Sequence, residues 1–353
     1  MLPTDESFMH RCLYLARQGA GHVAPNPMVG AVLVHNGIII GEGYHQEYGK
    51  AHAEVNCIAS VAGKDVPLIP SSTLYVSLEP CAHFGKTPPC SDLIIHHRIP
   101  KVVIGCRDPF PEVNGKGVEK LKKAGVEVVT GVLEHDCIAL NKRFFTSVVQ
   151  KRPYIILKWA QTADGKISGG TGQRLLITGE RANRIVHQWR SEEAAILVGT
   201  NTALLDDPSL TNRLWSGKNP TRLVLDLSLR LPHHLRLFDR SVKTIVFNST
   251  TNKENGDLIY QKIDASNHMV NEIVKAAHQH RLQSLLVEGG TKLLQSFIDA
   301  GLWDEARIIT NPSLHAGQGL PAPLLQHAEM TKEENAGTDV VKYFVRTSAQ
   351  ANP

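Results

Sequence analysis

STLYVSL, KVVIGC and VEVVTG are short apolar runs separated by helical stretches such as GVEKLKKAG, and the same alternation resumes beyond residue 153. Strands that alternate with helices close as a largely parallel sheet covered by those helices, which makes the chain an α/β protein. In the first half, Phe8, Cys12, Leu13 and Ala16 recur at helical spacing after Thr4-Asp5, and Gly19 and Gly21 end that helix. PNPMVGAVLV, HNG and IIIGEGYH predict a β-hairpin turned by Asn36-Gly37, followed by a helix from about His52 to Ala62. In the second half AAILVGT, TRLVLDL, KTIVFN, SLLVEGG and EARIIT read as strands, with RANRIVHQW and TKLLQSFIDAG as helices. Pro220-Thr221 and the polar NSTTNKENGDL read as loops. The pattern breaks at Val149–Pro153 and restarts with YIILKWA, so domains are expected over 1–149 and 150–353.

Composition narrows the partners. A net charge of +4, scattered along the chain, gives no basic surface for nucleic acid but suits small anionic ligands. The first residues lack a signal-peptide core, and no apolar run approaches the roughly 18 residues of a membrane span. A cytoplasmic protein with no membrane partner is expected. Its six cysteines are then thiols, and clustered thiols point to metal or catalysis. Cys12, Cys57, Cys106 and Cys137 stand singly among apolar residues and read as small buried hydrophobes.

Cys81 and Cys90 differ, because SLEPCAHFGKTPPC holds both in one proline-bounded stretch, and AHAEVNC supplies His52 and Glu54. H-x-E with P-C-x-x-C is the signature of zinc-dependent base deaminases, although the cysteines here are nine positions apart. One imidazole and two thiolates leave a tetrahedral zinc one open position, the mark of a catalytic site. Glu54, not itself a ligand, is placed to move protons. Residues two apart do not share a face in mid-helix, so His52 and Glu54 must lie at a helix start. Pro88-Pro89 predict a second helix start at Cys90. A structural zinc site or two unrelated thiols are the alternatives.

No G-x-G-x-x-G occurs, which leaves a Rossmann dinucleotide site without support. Instead SLLVEGGTKLLQ sets Glu288-Gly289-Gly290 between a strand and a helix, where backbone amides can approach phosphate. VGTNTALLDDPSLTNR adds Asp206-Asp207 and Arg213, which read equally as a capped, charged loop.

HAE, EPCAHFGKTPPC, RDP and PNPMVGAVLV together closely resemble the bifunctional riboflavin-biosynthesis deaminase–reductase family, and LKWAQTADGKIS extends the resemblance to its second half. The resemblance runs from the first helix to about residue 310. It implies an N-terminal cytidine-deaminase-like zinc domain and a C-terminal dihydrofolate-reductase-like domain. The implied reactions are zinc-dependent hydrolytic deamination of 2,5-diamino-6-(5-phosphoribosylamino)pyrimidin-4-one, then NADPH-dependent reduction of the ribosyl group to ribityl. By position, one zinc falls to His52, Cys81 and Cys90, proton transfer to Glu54, and the first substrate to Asn26, His45, His83, Lys86 and Asp108. NADPH falls to Ala160, Leu176, Thr202, Asp206 and the turn Gly290, Thr291, Lys292, Leu293, Leu294, Gln295 and Ser296. The second substrate falls to Arg174, Arg190, Leu210, Arg213 and Glu288, with the two arginines 190 and 213 as bidentate phosphate forks. Lys158 is the expected donor to a developing alkoxide. A homo-oligomer, dimer or tetramer, is also expected. The chain departs from the family pattern at Phe110 (usually Asn), at Leu176 (usually Trp) and at Thr162-Ala163, where Ser-Leu is common.

Overall fold

The structure, a computed structural model, describes residues 4–84, 88–170, 175–266 and 268–347. The chain divides into two compact units, Met1–Lys151 and Arg152–Pro353. In the first, α1 (Asp5–Arg17) precedes the hairpin β1 (Gly30–His35) and β2 (Ile38–Tyr44). Then come α2 (Ala53–Ala59), β3 (Thr73–Leu78), α3 (Cys90–His96), β4 (Lys101–Cys106), α4 (Lys116–Lys123), β5 (Glu127–Thr130), α5 (Glu134–Leu140) and α6 (Lys142–Val149). The strands form one sheet in the order β2-β1-β3-β4-β5, in which β3, β4 and β5 run parallel and β1 opposes both of its neighbours.

The pleat sorts side chains onto two faces. From β1, Ala31 and Leu33 enter the core beneath α2, α3 and α4, while Val32 and Val34 pack against α1 through Met9, Cys12 and Leu13. A sheet covered on both faces explains why its strands read as continuous apolar runs. Thr4 caps α1 by accepting from the Ser7 N–H, and Asn36 and Gly37 turn the hairpin with φ of 47° and 79°.

In the second unit β6 (Tyr154–Thr162) leads to α7 (Glu180–Glu192), β7 (Ala195–Gly199), α8 (Thr200–Asp206), β8 (Thr221–Leu225), β9 (Thr244–Asn248), β10 (Lys253–Asn255), β11 (Leu258–Lys262) and α9 (Met269–Gln279). β12 (Ser284–Val287), α10 (Thr291–Asp299), β13 (Glu305–Asn311), β14 (Ala328–Ala336) and β15 (Asp339–Arg346) complete it. The ten strands lie in the order β10-β11-β9-β8-β7-β12-β6-β13-β15-β14. The run from β11 to β13 is parallel throughout, with antiparallel strands at either edge. Ile155, Leu157 and Trp159 of β6 face α9 and α10, and Tyr154 and Ile156 face α7. Among the described residues no helix is long and apolar enough to cross a membrane.

Three sequence expectations need correction. The helix after the hairpin is shorter than His52–Ala62: His52 is its N-cap, and beyond Ala59 the chain turns into a 3₁₀ stretch, Gly63–Ser71, that contains Pro67 and Pro70. NSTTNKENGDL is not all loop, because Lys253–Asn255 pairs with β11 across Gly256; that strand is exposed on both faces and carries no apolar signal. Thr221 likewise opens β8, opposite Ala195.

One close approach fixes the position of α2. A Cβ on Gly43 of β2 would lie 2.4 Å from the Cys57 N and 2.6 Å from the Asn56 carbonyl carbon. The Asn56 amide ties the same helix to β2 by donating to the Tyr44 carbonyl at 2.8 Å. Gly43→Ala must therefore lift α2 off the sheet. It should cost the first unit about 1–3 kcal/mol, seen in calorimetry as a lower first transition with the second unit's transition unmoved.

Candidate active sites

The first site forms where α2 and α3 begin. His52 precedes α2 in an extended conformation (φ −73°, ψ 168°), and Glu54 lies in the first turn. Chain leaving β3 reaches Cys81, and Pro89 caps α3 so that Cys90 is its first residue. The His52 Nδ1 lies 3.4 Å from the Cys90 Sγ and 3.8 Å from the Cys81 Sγ. The Cys90 N–H donates to the Cys81 Sγ at 3.3 Å. All three ligand atoms lie within 4.8 Å of one another, the one such group of metal-binding side chains among the described residues.

Hydrogen bonds from Cys90 and His52 hold the Cys81 thiol well below its ordinary value despite partial burial, which favours the thiolate. Cys90 faces that thiolate from a buried position beside Glu54 and is pushed up. His52 is raised, foremost by its hydrogen bond to Cys81, and burial raises Glu54. Two thiols and an imidazole converging in this way are a donor set that fits zinc, and a cation among them reverses the Cys90 shift. Three donors from the chain leave a fourth position to solvent or substrate.

The expected substrate residues gather around this cluster. His45 is buried, its ring centroid 5.4 Å from that of His52. Its Nδ1 donates to the Ala51 carbonyl at 3.0 Å, while its Nε2 accepts from the Asn26 amide at 3.2 Å. Burial keeps its pKa low and the ring neutral. Asp108, also buried, is raised to about 6 by desolvation and by the charges of Glu79 and Cys81. His83 is exposed, with its ring 6.5 Å from that of Phe110. Lys86 lies outside the described residues. Sequence reasoning missed two buried residues, Glu79 and Asn141. The Asn141 amide clasps Met28, accepting from its N–H at 2.8 Å and donating to its carbonyl at 2.9 Å, and so holds the loop that carries Asn26. An asparagine between two helices gives no sequence signal of this; a carboxylate beside Pro80-Cys81 does.

The second site lies at the carboxyl ends of the central parallel strands of the second unit, where open α/β sheets commonly bind ligands. Lys158 of β6 and Glu288, directly after β12, follow the paired Leu157 and Val287. Arg190 of α7 gives its Nε and Nη2 to the two Glu288 oxygens at 2.9 and 2.8 Å, and the Lys158 Nζ stands 3.6 Å away. All three side chains are almost wholly buried. Burial alone would raise Glu288, but Arg190 and Lys158 hold it at about 2, whereas burial lowers Lys158. Arg190, expected as a phosphate fork, thus gives its Nε and Nη2 to Glu288 in this structure. Arg213, by contrast, is exposed, its guanidinium resting on the hydroxyls of Ser209 and Thr211. The Arg213 N–H donates to the Nδ1 of His187 at 2.8 Å; His187 is a buried residue that sequence reasoning also missed.

Of the expected cofactor residues, Thr202 of α8 accepts from the Gly290 N–H at 3.1 Å and joins α8 to the start of α10. A Cβ on Gly290 would meet only the Thr202 Oγ1, at 3.7 Å, so the backbone there is open to close approach by a phosphate. Thr291, Lys292, Gln295 and Ser296 line the first turns of α10, and Ala160 lies near the end of β6. Leu293 and Leu294 point into the core, as does Leu210, whose backbone is left-handed (φ 51°). Contacts expected of these three leucines can come only from their backbone. Leu176 is exposed and Asp206 ends α8. Arg174 lies outside the described residues.

Together these sites describe a zinc-binding deaminase domain followed by a reductase domain. Residues 2–106 match the cytidine and deoxycytidylate deaminase zinc-binding region, and residues 153–340 match the RibD C-terminal domain. The riboflavin biosynthesis protein RibD of Aquifex aeolicus is 40% identical, over 97% of this chain and 98% of that protein. That of Escherichia coli is 33% identical, over 88% of each. A crystal structure of a diaminohydroxyphosphoribosylaminopyrimidine deaminase/5-amino-6-(5-phosphoribosylamino)uracil reductase from Thermotoga maritima superposes with a TM-score of 0.88 at 38% identity, covering 97% of this chain and 98% of that one. The chain belongs to the RibD family of bifunctional riboflavin-biosynthesis enzymes.

The buried triplet makes the second unit acid-sensitive in a defined window. Because Glu288 is depressed in the fold, its contribution is complete above its unfolded pKa of about 4.3 and is lost as pH falls towards 2. Unfolding midpoints of the second unit should fall across that window. Glu288→Gln should flatten the dependence, and an unchanged slope in that variant would place the acid sensitivity elsewhere.

Proposed function

We propose that the first site deaminates 2,5-diamino-6-(5-phosphoribosylamino)pyrimidin-4-one by hydrolysis, and that the second reduces the resulting 5-amino-6-(5-phosphoribosylamino)uracil with NADPH. The observation that carries the first assignment is the convergence of His52, Cys81 and Cys90 beside a buried Glu54. His52, Cys81 and Cys90 would hold a zinc ion, which would acidify a water enough for it to act as hydroxide near neutral pH. Glu54, its pKa raised by burial, takes the proton of the attacking water and returns it to the departing amino group, so a C–O bond replaces the C–N bond and ammonia leaves. His45, its ring held by the Ala51 carbonyl, orients the Asn26 amide, whose remaining polar groups face the pyrimidine, and Asp108, His83 and Lys86 are assigned to the same substrate.

In the second site bound NADPH would supply the hydride for C1′ of the ribosyl group. Lys158 donates a proton to the ring oxygen released as the sugar opens. Its place in the triplet supports this role, since Glu288 orients the ammonium while burial keeps its proton transferable. Arg190 holds Glu288, and Arg213 is the phosphate ligand. Gly290, Thr202 and the first turn of α10 receive the cofactor phosphates, with Ala160, Leu176 and Asp206 along its length. The protein works in the cytoplasm on small molecules, as a dimer or tetramer.

Each proposed site is assembled inside one unit, so the two activities should separate. Glu54→Gln should keep its zinc, lose at least about 10²-fold in deamination, and still reduce the deaminated intermediate when it is supplied. Arg213→Ala should weaken the reductase by about 1.5–3 kcal/mol and spare the deaminase. A folded variant that loses both half-reactions would contradict the assignment.

A further inference from the structure

Glu79 lies two residues before the metal-binding Cys81 and is 3% exposed. Its carboxylate accepts four backbone hydrogen bonds: Oε2 from Asp108 at 3.4 Å and Gly115 at 3.0 Å, Oε1 from Gly117 at 3.1 Å and Val118 at 3.2 Å. These donors span the segment that leaves β4, carries Asp108 and enters α4. From the proposed deaminase reading we infer that Glu79 is a positioning residue for deamination, locking the Asp108 segment against the Cys81 loop.

Several observations converge on this role. The Glu79 N–H itself donates to the Cys106 carbonyl at 3.0 Å, so its backbone continues the pairing of β3 with β4 while its side chain reaches past the end of both strands. At the start of α4 the amides of Gly117 and Val118 have no carbonyl within the helix, and the carboxylate supplies the acceptor and the favoured charge. α4 also begins directly on the metal loop: a Cβ on Gly117 would lie 2.0 Å from the Pro80 carbonyl oxygen. Gly115 takes a left-handed φ of 84°, which turns its N–H inward to Oε2. One side chain thus fixes the separation of two elements that share no covalent route shorter than β4. Cys81 lies on one and Asp108 on the other.

Glutamine tests this with little change of shape. Its amide has one acceptor oxygen, so in either orientation its NH₂ group confronts two of the four N–H donors. The Asp108 segment must then shift while Cys81 keeps its own bonds to Cys90 and His52. A misplacement near 1 Å costs up to about 10²-fold in an enzymatic step. Glu79→Gln should raise KM for deamination about 10- to 100-fold, with kcat changed far less. Zinc should remain at one per chain by metal analysis, and reduction of the supplied intermediate should be normal. Glu79→Asp keeps the charge but not the reach, and its KM should fall between those of Glu79→Gln and the unaltered chain. A KM unchanged in both variants, or a fall in zinc content that tracks the loss of activity, overturns the inference. Absence of deamination by the unaltered chain would instead count against the proposed function itself.

Discussion

A histidine and a glutamate two positions apart face one site only because His52 is not yet helical. Inside α2 the pair would point in directions about 200° apart, since each helical residue turns by about 100°. As an N-cap with extended backbone, His52 turns its Nδ1 to the thiols while Glu54, in the first turn, stays buried beside Cys90. Several contacts of the first unit hold that junction in place. Gly43 and Asn56 seat α2 on β2, Pro89 starts α3 at Cys90, and Glu79 ties the metal loop to α4.

The two sites meet the problem of buried charge differently. At the thiols the charge of Cys81 rests on hydrogen bonds from Cys90 and His52, an arrangement that a divalent cation would complete. In the second unit one carboxylate lies between two cations, and the three remain charged together inside the sheet's carboxyl end. Such a triplet contributes little net stability compared with an apolar core. Its value is orientation, because Glu288 holds both Lys158 and Arg190 in fixed directions.

Much of this was legible in the sequence because it is written in local patterns. The apolar runs named most of the central strands, Asn36-Gly37 named the hairpin, and the spacing of His52, Glu54, Cys81 and Cys90 named the ligand set with its helix starts. What escaped included α9 and β15, whose apolar patterns went unnamed, and otherwise features that are polar and exposed or nonlocal. β14 carries Glu329, Lys332, Glu333 and Glu334 on an edge without an apolar face, and β10 is exposed throughout. The Asn141 clasp on Met28 spans 113 residues, and the pairing of Arg190 with Glu288 spans 98. No spacing rule sees these. The Arg190 pairing stayed hidden for the same reason: the residue type suits phosphate, but its carboxylate partner arrives from a distant strand.

The proposed ligand set for a catalytic zinc is three side chains, the imidazole of His52 and the thiolates of Cys81 and Cys90. X-ray absorption at the zinc edge of the purified protein tests it directly. The spectrum should show two sulfur neighbours at about 2.3 Å and light-atom neighbours near 2.0–2.1 Å, at least one with the outer-shell scattering of an imidazole and one from solvent. A shell of four ligands all from the protein, or any sulfur count other than two, would contradict it.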